Sequence, residues 1–258
     1  MQLEGKVIVV TGLGPGLGRE IAVLFAREGA ALAIGARTEA YLEEVRAEIA
    51  AAGGRVIAVP TDITDPDQCR RIVAAAVDEF GGIDGVLQNG FSPGSFTTFE
   101  DADLADWRRA MDVNCWGSLQ VAQAALPALK QRGGGTITFV NSMVIRKPLP
   151  TQGGYATSKG ALMTASQVLA RELGQYRIRV NSLTPGWMLG PSVDIYFAMM
   201  EQMGRSYDEV YAEIASQISL GVVPTDDECA RAAVFLASDA SVMVTGQSID
   251  VNGGEVFH

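Results

Sequence analysis

Short apolar runs alternate with amphipathic segments along the whole chain, and this alternation constrains the fold more than any other feature. The runs are continuously apolar rather than alternating, which is typical of strands covered on both faces. They occupy residues 7–10, 31–34, 56–59, 83–87, 136–140, 180–183 and 248–251. Strands that alternate with helices predict an α/β fold, in which helices cover both faces of a parallel sheet of about seven strands.

Three of the amphipathic segments have clear helical signals. Two of them carry apolar residues at helical spacing and end at a glycine pair: Leu42, Val45 and Ile49 before residues 53–54, and Ile72, Val73, Ala76 and Phe80 before residues 81–82. Thr225 and Glu228 form a capping-box pattern at the start of the third. No linker or repeat interrupts the pattern, so we expect residues 1–258 to form one domain.

Composition excludes several classes of function. The only histidine is His258, whereas a Ser-His-Asp hydrolase needs an internal imidazole. Cys69, Cys115 and Cys229 are widely separated, so no metal site is predicted, and their odd number favours a reducing compartment. The formal net charge of −10 disfavours nucleic acid as a partner. Neither a leader sequence nor an apolar stretch of about 20 residues is found, so we expect a cytoplasmic protein without membrane contact.

A glycine-rich turn follows the first predicted strand and opens the first helical segment. Residues 11–18 read TGLGPGLG, which places Leu17 among Gly12, Gly14, Gly16 and Gly18. The spacing is GxxxGxG rather than GxGxxG. A backbone without Cβ atoms can approach a diphosphate closely, and a helix N-terminus presents free N–H groups to it. The context predicts a dinucleotide site; the alternative is a turn that serves tight packing alone.

The residues after the second and third strands bear on the choice of coenzyme. An acidic residue after the second strand would bind the ribose hydroxyls of NAD, but Arg37 and Thr38 stand there. Arg37 can pair with a 2′-phosphate, so NADP(H) is favoured and NAD(H) remains possible. Asp62, followed by Ile63, could accept a hydrogen bond from an adenine amino group or could be an ordinary turn acid.

Tyr155 and Lys159 are four residues apart, which places them on one face of a helix. A nearby ammonium favours a phenolate, so we expect Lys159 to lower the pKa of Tyr155 toward neutrality. Such a pair can exchange a proton with an alcohol or carbonyl oxygen. Ser142 follows the fifth strand, where its hydroxyl would face the ligand crevice and hydrogen-bond the same oxygen.

Taken together, these residues resemble the short-chain dehydrogenase/reductase family from residue 7 to residue 254. The resemblance implies a doubly wound, Rossmann-type fold and hydride transfer between a nicotinamide and an alcohol or ketone, with Tyr155 as acid or base. Ser142 would then orient the substrate oxygen, Lys159 would hold the nicotinamide ribose, and Asn114 would link Lys159 to solvent through water. Pro185 and Gly186 match the family's nicotinamide turn, and Met188 nearby is a further coenzyme-binding candidate. Where the family usually has Asn-Asn-Ala-Gly, Asn89 keeps one amide and Gly90 still permits close approach to the adenosine ribose. A homotetramer is also implied.

Two positions depart from the family pattern. Phe91 stands where a glycine is usual, which predicts a different loop path and an aromatic ring near the site. Gly190 stands where a threonine usually binds the coenzyme, and Ser192 could compensate for it.

The segment 191–223 contains no strand pattern and is rich in methionine and aromatic residues. Its position predicts a substrate lid, with an apolar wall as the functional interpretation and plain packing as the alternative. The pocket residues we predict are Phe91, Met143, Trp187 and Tyr196. They favour a hydrophobic alcohol or ketone of cyclic or terpenoid-like structure, whereas Arg146 and Lys147 would either meet an anionic substrate or face water.

Two other functions remain open. A 3-oxoacyl thioester reductase would need a basic patch for a carrier, and the only candidates are Arg108, Arg109, Arg132, Arg146 and Lys147. A dinucleotide-sensing regulator would keep the glycine turn without catalysis, which the intact Ser142, Tyr155 and Lys159 argue against.

Overall fold

The computed structural model describes residues 1–257, apart from the side chain of Ser192. Its sheet has seven parallel strands in the order β3-β2-β1-β4-β5-β6-β7. Their bounds are β1 Val7–Thr11, β2 Ala31–Ala36, β3 Val56–Pro60, β4 Gly85–Gln88, β5 Gly135–Val140, β6 Ile178–Pro185 and β7 Ser248–Val251. Every apolar run predicted as a strand is one, with ends shifted by at most two residues.

The strand order reverses between β1 and β4. These two strands lie side by side, pairing Ile8 with Gly85 and Thr11 with Gln88, while the chain builds outward in opposite directions from them. The loops that leave their carboxyl ends therefore diverge, and this opens a crevice at that edge of the sheet.

Nine α-helices lie within the described residues. They are α1 Leu17–Arg27, α2 Glu39–Ala51, α3 Pro66–Phe80, α4 Leu104–Met111, α5 Ser118–Arg132, α6 Gly153–Leu173, α7 Pro191–Gln202, α8 Tyr207–Ser216 and α9 Asp226–Ala237. The predicted signals are confirmed: α2 buries its three predicted apolar residues, α3 ends at Gly81 in the left-handed conformation, and the capping box opens α9. None of these helices is long and apolar enough to cross a bilayer.

Helices cover both faces of the sheet, as predicted. On one face, strand residues such as Ile8 and Ile34 pack with Phe25 of α1 and Val234 of α9. On the other face, strand residues such as Phe139 pack with side chains of α3, α5 and α6. The alternation of strand side chains between the two clusters explains why the strands are apolar throughout.

Two helical features bear on the site. A π-helical turn, Asp112–Gly117, joins α4 to α5 and shifts the register of the side chains it carries. The segment predicted as a lid loop is instead a pair of helices, α7 and α8. This pair buries its own small core, formed by Phe197, Val210, Ile214, Ala215, Ile218 and Val223.

Candidate active site

A cleft of about 240 Å³ opens at the carboxyl ends of β1, β4, β5 and β6. Its walls come from the glycine turn, the ends of the strands, the start of α6 and the start of α7. The lining residues are Gly12, Gly14, Pro15, Gly16, Leu17, Gly18, Asn89, Phe91, Val140, Asn141, Ser142, Tyr155, Lys159, Pro185, Gly186, Met188, Gly190, Pro191, Val193 and Asp226. Most of the predicted site residues therefore meet at one place.

The glycines of the turn divide into two groups. A methyl group on Gly12 would lie 1.8 Å from the nitrogen of Gly90, and one on Gly18 would lie 2.9 Å from the carbonyl oxygen of Gly12. These two glycines let backbone segments touch. Gly14 has no atom within 4 Å of its missing side chain, and Gly16, with φ at +96°, begins α1. The packing role and the ligand role proposed for the turn thus fall on different glycines.

Hydrogen bonds fix the turn to its neighbours. Asn89 donates through its backbone nitrogen to the carbonyl of Thr11 (2.9 Å) and through its side chain to the carbonyl of Gly12 (3.0 Å). On the other side, the carbonyl of Gly35 in β2 accepts from the nitrogens of Gly12 and Leu13. The turn is therefore held by both strands that flank β1.

Tyr155 and Lys159 lie on one face of α6, as their spacing predicts. The Lys159 amine is buried and donates to the carbonyl of Val140 at 2.7 Å. It lies 5.8 Å from the centre of the Tyr155 ring, against the face of the ring. α6 begins here because Gly153 and Gly154 allow it to pack against the ring of Trp107 in α4.

The expected effect of Lys159 on the Tyr155 pKa was wrong for this structure. Burial raises the pKa of the Tyr155 phenol above its usual value near 10, and the Ser142 hydroxyl acts in the opposite direction. Burial also lowers the pKa of the Lys159 amine to about 7. Burial therefore favours the neutral form of the Lys159 amine, which opposes the expected stabilisation of a Tyr155 phenolate.

Ser142 follows β5, as predicted, and its hydroxyl accepts a hydrogen bond from the Val144 nitrogen at 3.2 Å. The carbonyl oxygen of the Asn141 side chain accepts from the Ser142 nitrogen at 3.1 Å. Asn141 lines the same cleft, and its amide nitrogen has no partner among the described residues. The turn after β5 therefore presents two polar side chains side by side.

Asn114 lies buried in the π-helical turn. Its amide nitrogen donates to the carbonyl of Ser92 (2.9 Å) and to the hydroxyl of Ser158 in α6 (2.8 Å). Its side-chain oxygen accepts from the Ser92 nitrogen at 2.6 Å. Asn114 thus ties the loop after β4 to the helix that carries Tyr155 and Lys159, and it does not contact the Lys159 amine directly.

Several residues predicted to bind the coenzyme lie outside the cleft lining. Arg37 and Thr38 are exposed at the end of β2, and Arg37 forms no hydrogen bond or ion pair with the described residues. Asp62 takes the turn role, because its carboxylate accepts from the nitrogen and the hydroxyl of Thr64. Ile63 is buried beneath Gly90, which itself packs against Gly12.

Of the four residues predicted to line the substrate pocket, one lies in the cleft lining and three do not. Phe91 lines the cleft, 48% exposed, with its ring edge-to-face with Tyr155 at 6.4 Å between centroids. Trp187 and Tyr196 instead pack on each other, with ring centroids 5.1 Å apart and the rings tilted, as part of the α7–α8 packing. Met143 is buried, with its sulfur against Gly186. Packing, the alternative considered from the sequence, explains these three residues.

Pro185, Gly186 and Met188 line the cleft as predicted. A side chain on Gly186 would lie 2.7 Å from the Cβ of Asn252, so the turn must carry glycine. Gly190 also lines the cleft, whereas the side chain of Ser192, which could compensate for it, lies outside the described residues.

One cleft residue has no counterpart in the sequence analysis. Asp226, the first residue of α9, reaches the cleft although nothing in its capping-box context distinguishes it from a surface acid. The π-helical turn around Asn114 also leaves no mark in the hydrophobic pattern. Asn141 could have been found, because a polar residue next to Ser142 at a strand end must lie near the same edge.

The reversed strand order, the glycine turn in the crevice and the helix N-terminus behind it define a Rossmann-type dinucleotide-binding protein.

Comparison with known proteins identifies the family. A family model described as enoyl-(acyl carrier protein) reductase matches residues 12–255. The chain is 38% identical over 254 residues to an uncharacterized oxidoreductase of Methylorubrum extorquens, with 98% of each protein covered. It is 33% identical over 258 residues to the 3-oxoacyl-[acyl-carrier-protein] reductase of Thermotoga maritima, with 100% of each covered. A solved 7α-hydroxysteroid dehydrogenase, complexed with NADH and 7-oxo glycochenodeoxycholic acid, superposes with a TM-score of 0.89 at 29% identity, covering 98% of this chain and 95% of that one.

The chain therefore belongs to the short-chain dehydrogenase/reductase family, and the predicted family and fold class are confirmed. It is an NAD(P)-dependent oxidoreductase.

Proposed function

We propose that this protein reduces a small, neutral, hydrophobic ketone, or oxidises the matching alcohol, with NADP(H) as the preferred coenzyme. The observation that carries the proposal is that Ser142, Tyr155 and Lys159 line the same cleft as the glycine turn. A group bound along the turn and a substrate oxygen near Tyr155 would therefore be neighbours.

The cleft suits a dinucleotide. Gly14 leaves open space at the turn, and the N-terminus of α1 directs free N–H groups toward a bound diphosphate. When bound, the coenzyme supplies or accepts the hydride.

Proton transfer falls to side chains of α6. The raised pKa of Tyr155 keeps its proton in place at neutral pH, which suits a donor to a carbonyl oxygen during reduction. Ser142 would orient that oxygen, and Lys159 would hold the nicotinamide ribose. With a pKa of about 7, Lys159 can also exchange protons near neutrality. Asn114 positions α6 through Ser158, and a water bound beside Asn114 would link Lys159 to solvent.

Arg37 supports NADP(H) over NAD(H). The end of β2 is tied to the glycine turn through Gly35, and Arg37 lies two residues beyond it with its guanidinium unpaired among the described residues. A charge-assisted pair with a 2′-phosphate contributes about 2 kcal/mol. Arg37→Ala should therefore weaken NADPH binding at least about tenfold more than NADH binding in a fluorescence titration; an equal loss for both would refute this preference.

The charges near the cleft support a neutral substrate. Arg146 pairs with Asp250 at 3.5 Å, and Lys147 pairs with Glu255 at 3.0 Å, so neither presents an uncompensated cation. Phe91 offers an apolar edge beside Tyr155. We propose that the α7–α8 pair, residues 191–223 with their flanks, covers the substrate side of the single domain.

A 3-oxoacyl thioester is the second candidate, favoured by the name of the Thermotoga maritima relative. The basic patch such a carrier would need is weak, because Arg109 pairs with Asp106 and Arg132 pairs with Asp84. Acceptance of acyl-carrier thioesters that is lost on charge reversal of these arginines, while small ketones are still reduced, would favour this candidate.

The test is a panel of neutral ketones and alcohols assayed through nicotinamide absorbance. We expect turnover with hydrophobic members and its loss in Tyr155→Phe, with NADPH binding retained by the variant. Tight coenzyme binding without turnover on any substrate would instead indicate a dinucleotide sensor.

We also propose a homotetramer. Two separate areas carry exposed apolar side chains: Trp116 and Val168 near α5 and α6, and Val242 and Met243 before the edge strand β7. Two independent contact surfaces suit a dimer of dimers. Light scattering after size exclusion would measure the mass. The cytoplasmic location stays a prediction.

A further inference from the structure

The carboxylate of Asp226 lies against the part of the cleft formed by glycines. A methyl group on Gly16 would lie 2.8 Å from its Oδ2 atom, and one on Gly190 would lie 2.2 Å from the same atom. Both glycines line the cleft, and Gly16 immediately precedes α1. Asp226 therefore occupies the space where two missing side chains leave room, beside the N-terminus of α1, where a coenzyme diphosphate would bind.

Two acidic side chains act on the carboxylate of Asp226. Glu20 of α1 and Asp194 of α7 are the charged groups that act on it from the neighbouring helices. The described residues supply no hydrogen-bond donor and no cation to its carboxylate; the cleft's one amine, on Lys159, is hydrogen-bonded to Val140. The N-terminus of α9 favours the anion, but burial and the two acids outweigh it, and the pKa of Asp226 rises to about 6.

An ionised Asp226 would oppose the ligand that this cleft is built for. A dinucleotide diphosphate carries two negative charges, and a carboxylate a few ångströms away in a partly desolvated cleft repels them strongly. A neutral carboxyl would instead donate an O–H to a phosphate oxygen.

We propose that Asp226 is a coenzyme-binding residue that acts in its protonated form, so that binding takes up a proton from solvent and weakens as the pH rises. This inference rests on the proposed assignment of the glycine turn as the diphosphate site. The proton adds to a carboxylate oxygen of Asp226, and the resulting hydroxyl donates to the diphosphate; no other bond changes. Asp226 thereby sets the pH range in which the enzyme holds its coenzyme.

The test measures binding rather than turnover. NADH is the probe, because it lacks the 2′-phosphate that would titrate in the same range. Its dissociation constant would be determined by fluorescence between pH 5.5 and 8.5, and calorimetry in buffers of different ionisation enthalpy would count protons taken up. Asp226→Asn keeps the shape and a donor group but cannot ionise. Asp227→Asn is the matched control, since Asp227 pairs with Arg231 on the same helix.

For the wild type we expect the dissociation constant to rise toward tenfold per pH unit above the pKa of Asp226, with uptake of a proton at pH 7.5. Asp226→Asn should bind NADH up to about a hundredfold more tightly than the wild type at pH 8, which lies two units above that pKa, and should take up clearly fewer protons. Lys159 is present in every variant, so the difference between variants isolates Asp226. Asp227→Asn should behave as the wild type does.

Three outcomes overturn the inference. If the pH dependence of NADH binding and the number of protons taken up are unchanged in Asp226→Asn, the proton does not bind at Asp226. If this variant binds NADH more weakly than the wild type at pH 8, the ionised carboxylate is the form that supports binding. If Asp226→Ala binds NADH as tightly as Asp226→Asn does, no donated hydrogen bond contributes to binding. Melting curves check that each variant folds. Wild-type protein that binds neither NADH nor NADPH at any pH would contradict the dinucleotide assignment itself, which is a separate failure.

Discussion

The two halves of the cleft are built in different ways. On the coenzyme side, backbones touch: Gly12 lies against Gly90, and Asn89 ties the turn to the end of β4. On the substrate side, α7 and α8 are held by side chains, with Phe197 stacked on Tyr207 at 4.4 Å and a core of six residues. Backbone contact leaves no tolerance for an added atom, whereas side-chain packing accepts changes that conserve volume. The first half should therefore be rigid and intolerant of substitution, and the second adjustable.

The largest effect expected from this difference is on Gly12. Gly12→Ala forces a side chain into a backbone with φ at +77° and into the Gly90 nitrogen. The left-handed conformation and the overlap together should cost about 4 kcal/mol of unfolding free energy or more, measured by urea denaturation.

Gly14→Ala is the control within the same turn. Its missing side chain faces open space and its φ is not positive, so the unfolding free energy should stay within about 0.5 kcal/mol of the wild type while NADH binding weakens. Equal destabilisation by both substitutions would contradict the division of the turn into packing and ligand glycines.

A smaller effect is expected in the α7–α8 pair. Phe197 is buried in the core of the pair, so Phe197→Ala should destabilise these helices by about 3 kcal/mol. Because the contacts are local, hydrogen exchange should accelerate in α7 and α8 while β1 and α1 stay protected. KM for a hydrophobic ketone should rise with little change in the NADH dissociation constant; an equal loss of coenzyme binding would show that the two halves are coupled.

The difference between backbone contact and side-chain packing also explains which features could be predicted from the sequence. The seven strands, the helix signals and the glycine turn follow from local pattern, and Ser142, Tyr155 and Lys159 meet because strand ends and helix faces impose it. Trp187 and Tyr196 lie in the packing of α7 and α8 rather than in the cleft lining, and sequence could not tell these places apart, because an aromatic residue in a lid and one in a small core leave the same pattern.

The pKa values of the site residues could not be predicted from the sequence either. The spacing of Tyr155 and Lys159 is correct, but their pKa values depend on burial, which spacing does not report. Asp226 reaches the cleft only because α9 packs against α1, a contact between elements far apart in the chain.

Asp226, at the border between the two halves, should make the unfolding free energy depend on pH. The pKa of Asp226 is about 6 in the folded protein and near 4 when unfolded, so the folded state binds more protons between these values. The contribution of Asp226 to the unfolding free energy is therefore fully present below pH 4 and is lost as the pH rises through 6. After allowance for solvent screening the loss is about 1–2 kcal/mol.

Asp226→Asn should remove this loss. Its melting temperature should exceed that of the wild type at pH 8 and match it at pH 4, whereas Asp227→Asn should show no such pH-dependent gain. A difference between Asp226→Asn and the wild type that is the same at both pH values would contradict the assigned pKa.

The smallest effect is expected at Phe91, where the two halves meet beside Tyr155. Phe91 is 48% exposed, so Phe91→Ala should leave the melting temperature nearly unchanged. The edge-to-face contact of its ring contributes about 1 kcal/mol, and a substrate ring would use the same apolar edge. KM for a cyclic ketone should therefore rise about fivefold, with NADH affinity retained. Phe91→Leu, which keeps an apolar side chain, should recover part of the loss; if Phe91→Ala binds cyclic ketones as well as the wild type does, the substrate lies on another side of Tyr155.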